Sequence, residues 1–307
     1  MSLRDEPSPT ATDTTNVTPP ASAVKRWSLL RIGSAVSLVL AVLAFPALGV
    51  HQVRPTLVMS DVPVNDALDD LLAEVVTPDG VDYLALIGRR ADLERIVAAF
   101  AETGPRSTPE RYSTVDEELA YYINAYNALT LFGVASHWPI ETVHDVHGWF
   151  RIKEGFGFFW ATRFRLDGRS VNLYDLENDT IRADFGDARI HAAINCASES
   201  CPALSARSYR AETLDEQLDA ATISFASDAP HVVIDDDSKQ IQLTPIYQWF
   251  AEDFVADAVE AGVGDSALDW ILMFARADVA DQLGRARDAG YEVVYVDYDW
   301  SLNSAGN

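Results

Sequence analysis

From position 61 onward, apolar residues recur at helical spacing. Leu68, Leu71, Leu72 and Val75 share one face of the stretch Val64 to Val76. Leu84, Ile87, Leu93, Ile96, Val97 and Phe100 do the same between Val81 and Ala101, with a break near Gly88. Thr114 followed by Glu117 has the form of a capping box, and the helix it opens has to end before Pro139. Its apolar residues cover every face, which predicts a position at the centre of the fold.

Beyond that helix the period changes. Trp160, Thr162, Phe164 and Leu166 alternate with Arg163 and Arg165 up to Asp167-Gly168, which predicts a hairpin. The run ARIHAAIN, residues 188–195, reads as a strand by the same period. A second capping box, Thr213 with Glu216, precedes a helix over Leu214 to Ser227, and a second hairpin joins HVVI to IQL around DDDSKQ. Thr244 and Pro245 fit N-cap and first helical position, two more helices follow, and Gly290 closes the last before a strand over Tyr291 to Val296. Helices and hairpins without regular βαβ repetition predict an α+β fold: a single mixed domain of helices around short hairpins and a small sheet, over 61–303, with 304–307 as a tail.

The N-terminal part differs. Residues 1–23 are rich in Ser, Thr, Pro and Asp without apolar periodicity and are expected to be a disordered tail. Residues 24–50 read as a membrane anchor or uncleaved signal, with 51–60 as a linker. Ile32 to Val50 carries no charge over 19 residues, which at about 1.5 Å per residue nearly crosses a hydrocarbon core of roughly 30 Å. One transmembrane helix is thus expected ahead of the α+β domain. Lys25, Arg26 and Arg31 precede it, so the positive-inside bias predicts a single-pass chain with a cytoplasmic N-terminus and the C-terminal domain outside. The rival is a signal peptide cleaved near Ala47-Leu48-Gly49.

Charge narrows the partners. The formal net charge is −24, and only three of the 23 basic residues are lysines (Lys25, Lys153, Lys239). Polyanions are repelled by such a surface, so nucleic acid is excluded as a partner. With 48% hydrophobic residues the chain has ample material for a core.

Three separated phrases, YYINAYNALTL from Tyr121, VNLYDLENDTIRADFGDARIHAAINCASESCPAL from Val171 and YDWSLN from Tyr298, resemble the domain of unknown function 547 family. The likeness runs roughly from Val64 to Asn303. It implies no settled reaction. The family's plant members carry leucine-zipper extensions that are absent here, so their partner roles do not transfer, and where members have Glu-His this chain has Glu177-Asn178.

The second phrase holds both cysteines, Cys196 and Cys201, five and ten residues downstream of His191. Three chemistries fit. A disulfide would close a small loop and contribute roughly 2 kcal/mol. A thiolate, at the strand end (Cys196) or at a helical N-cap before Pro202 (Cys201), could use His191 as its base. His191, Cys196 and Cys201 also offer three zinc ligands, to which His144 and His147 could add, although the spacing is wider than a zinc knuckle; no cofactor is expected, and zinc is the alternative. Asn195 shares a strand face with His191. Asn124 and Asn127 project on one side of the central helix, to brace loops or to line a pocket, and Glu177 offers a carboxylate. Asp299, Trp300 and Asn303 suit a capping turn packed by the indole.

Two functional classes follow. One is a thiol-dependent hydrolase or acyl-transfer enzyme using Cys196, His191, Asn195, Glu177, Asn124 and Asn127. The other is a non-catalytic binding or scaffold domain, stapled by a Cys196–Cys201 disulfide, whose ligand is a peptide or a small cell-envelope molecule. Membrane contact through residues 32–50 belongs to both, and neither fixes an oligomeric state.

Overall fold

The computed structural model describes residues 51–52, 55, 63–147 and 155–306. Among them, two apolar cores are assembled from helices, with three small sheets at their edges, which is the α+β class expected.

The first core is built around the Val115–His137 helix. Thr114 and Glu117 form the expected capping box, and every residue from Leu119 to Ala135 is buried. Ile123 and Leu129 are fully so. A helix surrounded on all sides needs apolar residues all round, which is what the sequence supplies. Val64–Val75 and the pair Tyr83–Gly88 and Arg90–Glu102 pack beside it, the latter interrupted at Arg89 as the break near Gly88 predicted. The hairpin Thr162–Leu166 with Arg169–Val171 turns at Asp167 and Gly168, both at positive φ. The Asp167 carboxylate accepts the backbone N–H groups of Arg106 and Ser107, each at 2.8 Å, and so ties the turn to the first core.

The second core is formed by Ala251–Glu260, Ala267–Phe274 and Ala277–Asp288 with the sheet Val232–Asp235, Gln240–Leu243, Glu292–Tyr295, and by the end of Leu214–Phe225, which gives Leu214 and Leu218 to the first core and Phe225 to the second. The first two of these strands make the expected antiparallel hairpin, and the last joins it in parallel after Gly290 at φ +76°.

The segment after the last strand returns to the first core as a strap. Ser301 bridges to Thr142, Leu302 to Ser198 and Ser304 to Val81, while Asn303 accepts from the Tyr83 hydroxyl at 2.7 Å.

Several expectations are corrected. Residues 188–195 are not a strand: Ile190–Ala193 is a short helix. Every position of the segment except Arg189 is buried, its polar His191 and Asn195 included, so no exposed face reports whether the period is that of a strand or a helical turn. Thr213 makes no capping bond, because its hydroxyl goes to Gln217 at 3.1 Å, and the helix ends at Phe225. The linker at 51–60 contains a short strand, His51–Gln52, parallel to Thr162 and Arg163, and the tail at 304–307 begins inside the fold. The membrane-anchored architecture and the single-pass location with an external domain are withdrawn as well. No helix among the described residues is long and apolar enough to cross a membrane. The segments 1–23 and 24–50, on which the tail and the anchor were placed, lie outside the described residues.

Candidate functional site

Where the two cores meet lies a cavity of about 790 Å³. Tyr126 and Ile194 reach it from the first core, Ile246 and Phe250 from the second, and Tyr298 and Trp300 from the strap. Trp160 and Trp249 line it while remaining 43% and 48% exposed. Five polar side chains interrupt this aromatic wall: His144, Glu177, Asn178, Arg182 and His191.

Glu177, Asn178 and Arg182 come from one π-helical stretch, Leu176–Arg182. Such wide turns shift side chains out of the regular helical stagger and are frequent at functional sites. Glu177 accepts from the Tyr126 hydroxyl at 3.1 Å. Burial pushes its carboxyl up to about 7, with Tyr126 and Arg182 opposing the rise and Asp253 adding to it.

Arg182 holds Asp253 through two bonds of 2.7 and 2.9 Å, reaches Glu252 at 2.9 Å and Asn178 at 2.7 Å, and lies over the Phe250 ring at 4.8 Å. His191 stacks on the same Phe250 ring, with centroids 4.2 Å apart, and lies tilted against Phe254 at 5.2 Å. Its Nε2 lies 2.7 Å from Asp253 Oδ2. Burial raises the Asp253 carboxyl, but the bonds from His191 and Arg182 overcome this and bring it to about 2. Burial lowers the imidazole below 6.5, against the pull of Asp253. The ring is thus neutral at pH 7, with the proton on Nε2 donated to Asp253 and Nδ1 left as an acceptor.

Cys196 and Cys201 are joined, with Cα atoms 6.3 Å apart, and the bond forms part of the cavity wall. Hydrogen-bond donors surround it. The Cys196 N–H reaches Cys201 Sγ at 3.0 Å, Tyr298 donates to Cys201 Sγ at 3.3 Å, and Ser198 Oγ lies 3.0 Å from Cys196 Sγ.

The remaining candidates serve as braces outside the cavity. Asn124 exchanges two 2.8 Å bonds with the backbone of Tyr209. Asn127 donates to Ala193 O at 2.9 Å and accepts from Asn195 N at 2.8 Å. Asn195 in turn donates to Pro202 O and accepts from Ala197 N, both at 2.8 Å, so it shapes the disulfide loop. Each amide satisfies backbone groups that burial would otherwise leave unpaired. Asp299 caps its own turn by accepting from Ser301 N at 2.9 Å. Among the described residues no group of three or more His, Cys, Asp or Glu is placed to hold a metal ion. The zinc ligands weighed above are otherwise engaged, His191 with Asp253 and the cysteines with each other. His144 lines the cavity against Trp300, at 4.5 Å, and His147 does not.

Of the residues expected at a site, the structure therefore brings together Glu177, His191, Cys196 and Cys201. Missing from the sequence reading were Asp253, Arg182, Tyr126 and Tyr298. Asp253 stands in the first turn of its helix beside Glu252, where acids are common for reasons of the helix dipole alone. Nothing local distinguishes it.

Fold and site together define a mixed α+β domain with an aromatic-walled cavity that carries a raised carboxyl and an aspartate-held histidine. The model of the family described as "Protein of unknown function, DUF547" matches residues 109–226, which shows the resemblance read from the motifs over that segment. The terminal YDWSLN falls beyond the match. No curated protein and no solved structure matches the chain.

Proposed function

We propose that the cavity binds a small, polar, ring-bearing molecule, a short peptide or saccharide in size, and that the Cys196–Cys201 bond belongs to its wall. The observation that carries this reading is the Glu177 carboxyl held near neutrality inside an aromatic enclosure. A volume of about 790 Å³ falls within the range of small-molecule sites, and half-exposed indoles offer faces for a ring to cover. Glu177 supplies a directional hydrogen bond, whereas Asn178 is held between Arg182 and the Tyr174 carbonyl and Arg182 is already committed to Asp253 and Glu252, so an anionic ligand is disfavoured. Saturation-transfer NMR against a mixed library of oligosaccharides, di- and tripeptides and aromatic amides tests it. Binding of at least one class is expected, weakened in Trp249→Ala and Glu177→Gln; profiles identical in wild type and the double variant would overturn it.

A second reading rests on a separate observation, the opposite shifts of Glu177 and His191. Environments that push two groups apart assign an acid and a base. His191 Nδ1 would take a proton from water as that water attacks an ester or amide carbon, and protonated Glu177 would hand one to the leaving group. No thiol is needed. Activity toward nitrophenyl esters would then be bell-shaped in pH, falling on the acid side as His191 protonates and on the alkaline side near 7 as Glu177 ionises. Loss of either group is expected to lower it roughly 10²- to 10⁴-fold. A flat profile between pH 5 and 9 would remove this reading and leave the binding site standing.

A further inference from the structure

We propose that the Cys196–Cys201 bond is a reactive disulfide that exchanges with thiols entering the cavity. Two sets of contacts carry this. The first is that the loop does not need the bond to keep its shape. Glu199 N donates to Ser301 O at 2.8 Å and Ser200 N to Asp299 O at 3.2 Å, while Asn195 and Asn127 hold its upstream end. A staple here would be redundant with at least four hydrogen bonds.

The second set is the ring of donors aimed at sulfur. A disulfide sulfur is a weak acceptor and gains little from them, whereas a thiolate gains much. Ser198 donates to the Tyr298 oxygen at 2.8 Å, and Tyr298 donates onward to Cys201 Sγ, which also receives the Cys196 N–H. The Tyr298 hydroxyl lies 3.3 Å from each sulfur, but Cys201 Sγ alone of the two also receives the backbone N–H, so the donors favour Cys201 as the thiolate. Cys196, the less buried of the two, is left as the sulfur open to attack.

The step follows from that asymmetry. An incoming thiolate attacks Cys196 Sγ, the Cys196–Cys201 bond breaks, and Cys201 leaves as a thiolate within reach of Tyr298 and the Cys196 N–H. A second thiol, on the same molecule or another, attacks the mixed disulfide and releases Cys196, whose S–H can donate to Ser198 Oγ. Two thiols are oxidised to one disulfide, the protein disulfide is reduced to two thiols, and the two protons stay on the protein at low pH or pass to solvent. The inference holds whichever ligand fills the cavity in other circumstances.

The test uses the full chain equilibrated with defined ratios of reduced to oxidised glutathione at pH 7.5, trapped with N-ethylmaleimide and weighed by mass spectrometry. The bond is expected to open while the near-ultraviolet circular dichroism of the folded protein persists. Tyr298→Phe is expected to move the equilibrium roughly tenfold toward the disulfide, the loss of one hydrogen bond to a charged sulfur. Ser198→Ala should move it the same way by less, and it decides the matter should the tyrosine variant fail to fold. A bond that opens only when the protein unfolds, or that opens equally in wild type and both variants, would overturn the proposal.

Discussion

Glu177 shows how one residue's surroundings change its contribution to the whole. Its carboxyl is raised from an ordinary 4.5 to about 7, so the folded state binds the proton more tightly than the unfolded one. The sign follows: the stabilising effect is fully present below about 4.5 and is lost as pH rises through about 7. Glu177→Gln removes this dependence while keeping an acceptor for Tyr126. The variant is therefore expected to melt with wild type near pH 4.5 and above it at pH 8, by differential scanning calorimetry; equal midpoints at pH 8 would contradict the assignment. His191 acts in the other direction. Its lowered affinity for a proton adds stability above its ordinary value of 6.5, which declines as pH falls and the buried ring is forced to charge. The sequence placed Glu177 and His191 among the candidates by residue type, but of the partners that tune them Tyr126 lies 51 positions from Glu177 and Asp253 62 from His191, and neither has a local mark.

Among elements, the central helix was the most legible, since a capping box and an unbroken apolar circumference each have a single structural meaning. The turn at Asp167-Gly168 was legible for a similar reason: both positions adopt positive φ, and the residue types announce it. Residues 188–195 were not, because the segment is buried on nearly every side, His191 and Asn195 included, and has no exposed face to report the period. The two asparagines of the helix sit between these cases. Their spacing announced a shared side but not whether that side met a cavity or a loop. In the structure they act as clamps, so Asn127→Ala leaves the Ala193 carbonyl and the Asn195 N–H unpaired in a buried place. A loss of roughly 2 to 4 kcal/mol is expected from urea unfolding, together with faster hydrogen exchange at Asn195. A loss below about 0.5 kcal/mol, the size usual for surface substitutions, would show that the clamp is not needed.

For the molecule as a whole, the cavity owes its existence to two cores that meet without merging. Each buries its own apolar side chains, and the aromatic residues left at their junction become a wall. Charge acts on the same scale. With a formal charge of −24, folding concentrates acidic groups that the unfolded chain keeps apart. Salt screens that repulsion over a Debye length of about 10 Å at 0.1 M and about 3 Å at 1 M. The melting temperature is thus expected to rise between 0.05 and 1 M sodium chloride, and a fall would mean that the ion pairs of Arg182, Arg189 and Arg210 outweigh the repulsion.

The strap that fastens Thr142, Ser198 and Val81 also has a consequence in time. A ribosome delivers those three residues well before it delivers Ser301, Leu302 and Ser304, so the first core is offered its closing piece late. Until then the nascent chain lacks Tyr298 and Trp300, two panels of the cavity and the hydroxyl that faces the disulfide. The cysteines emerge about a hundred positions ahead of that hydroxyl, and the thiols meet whatever surrounds the growing chain before the groups that govern their reactivity have been made.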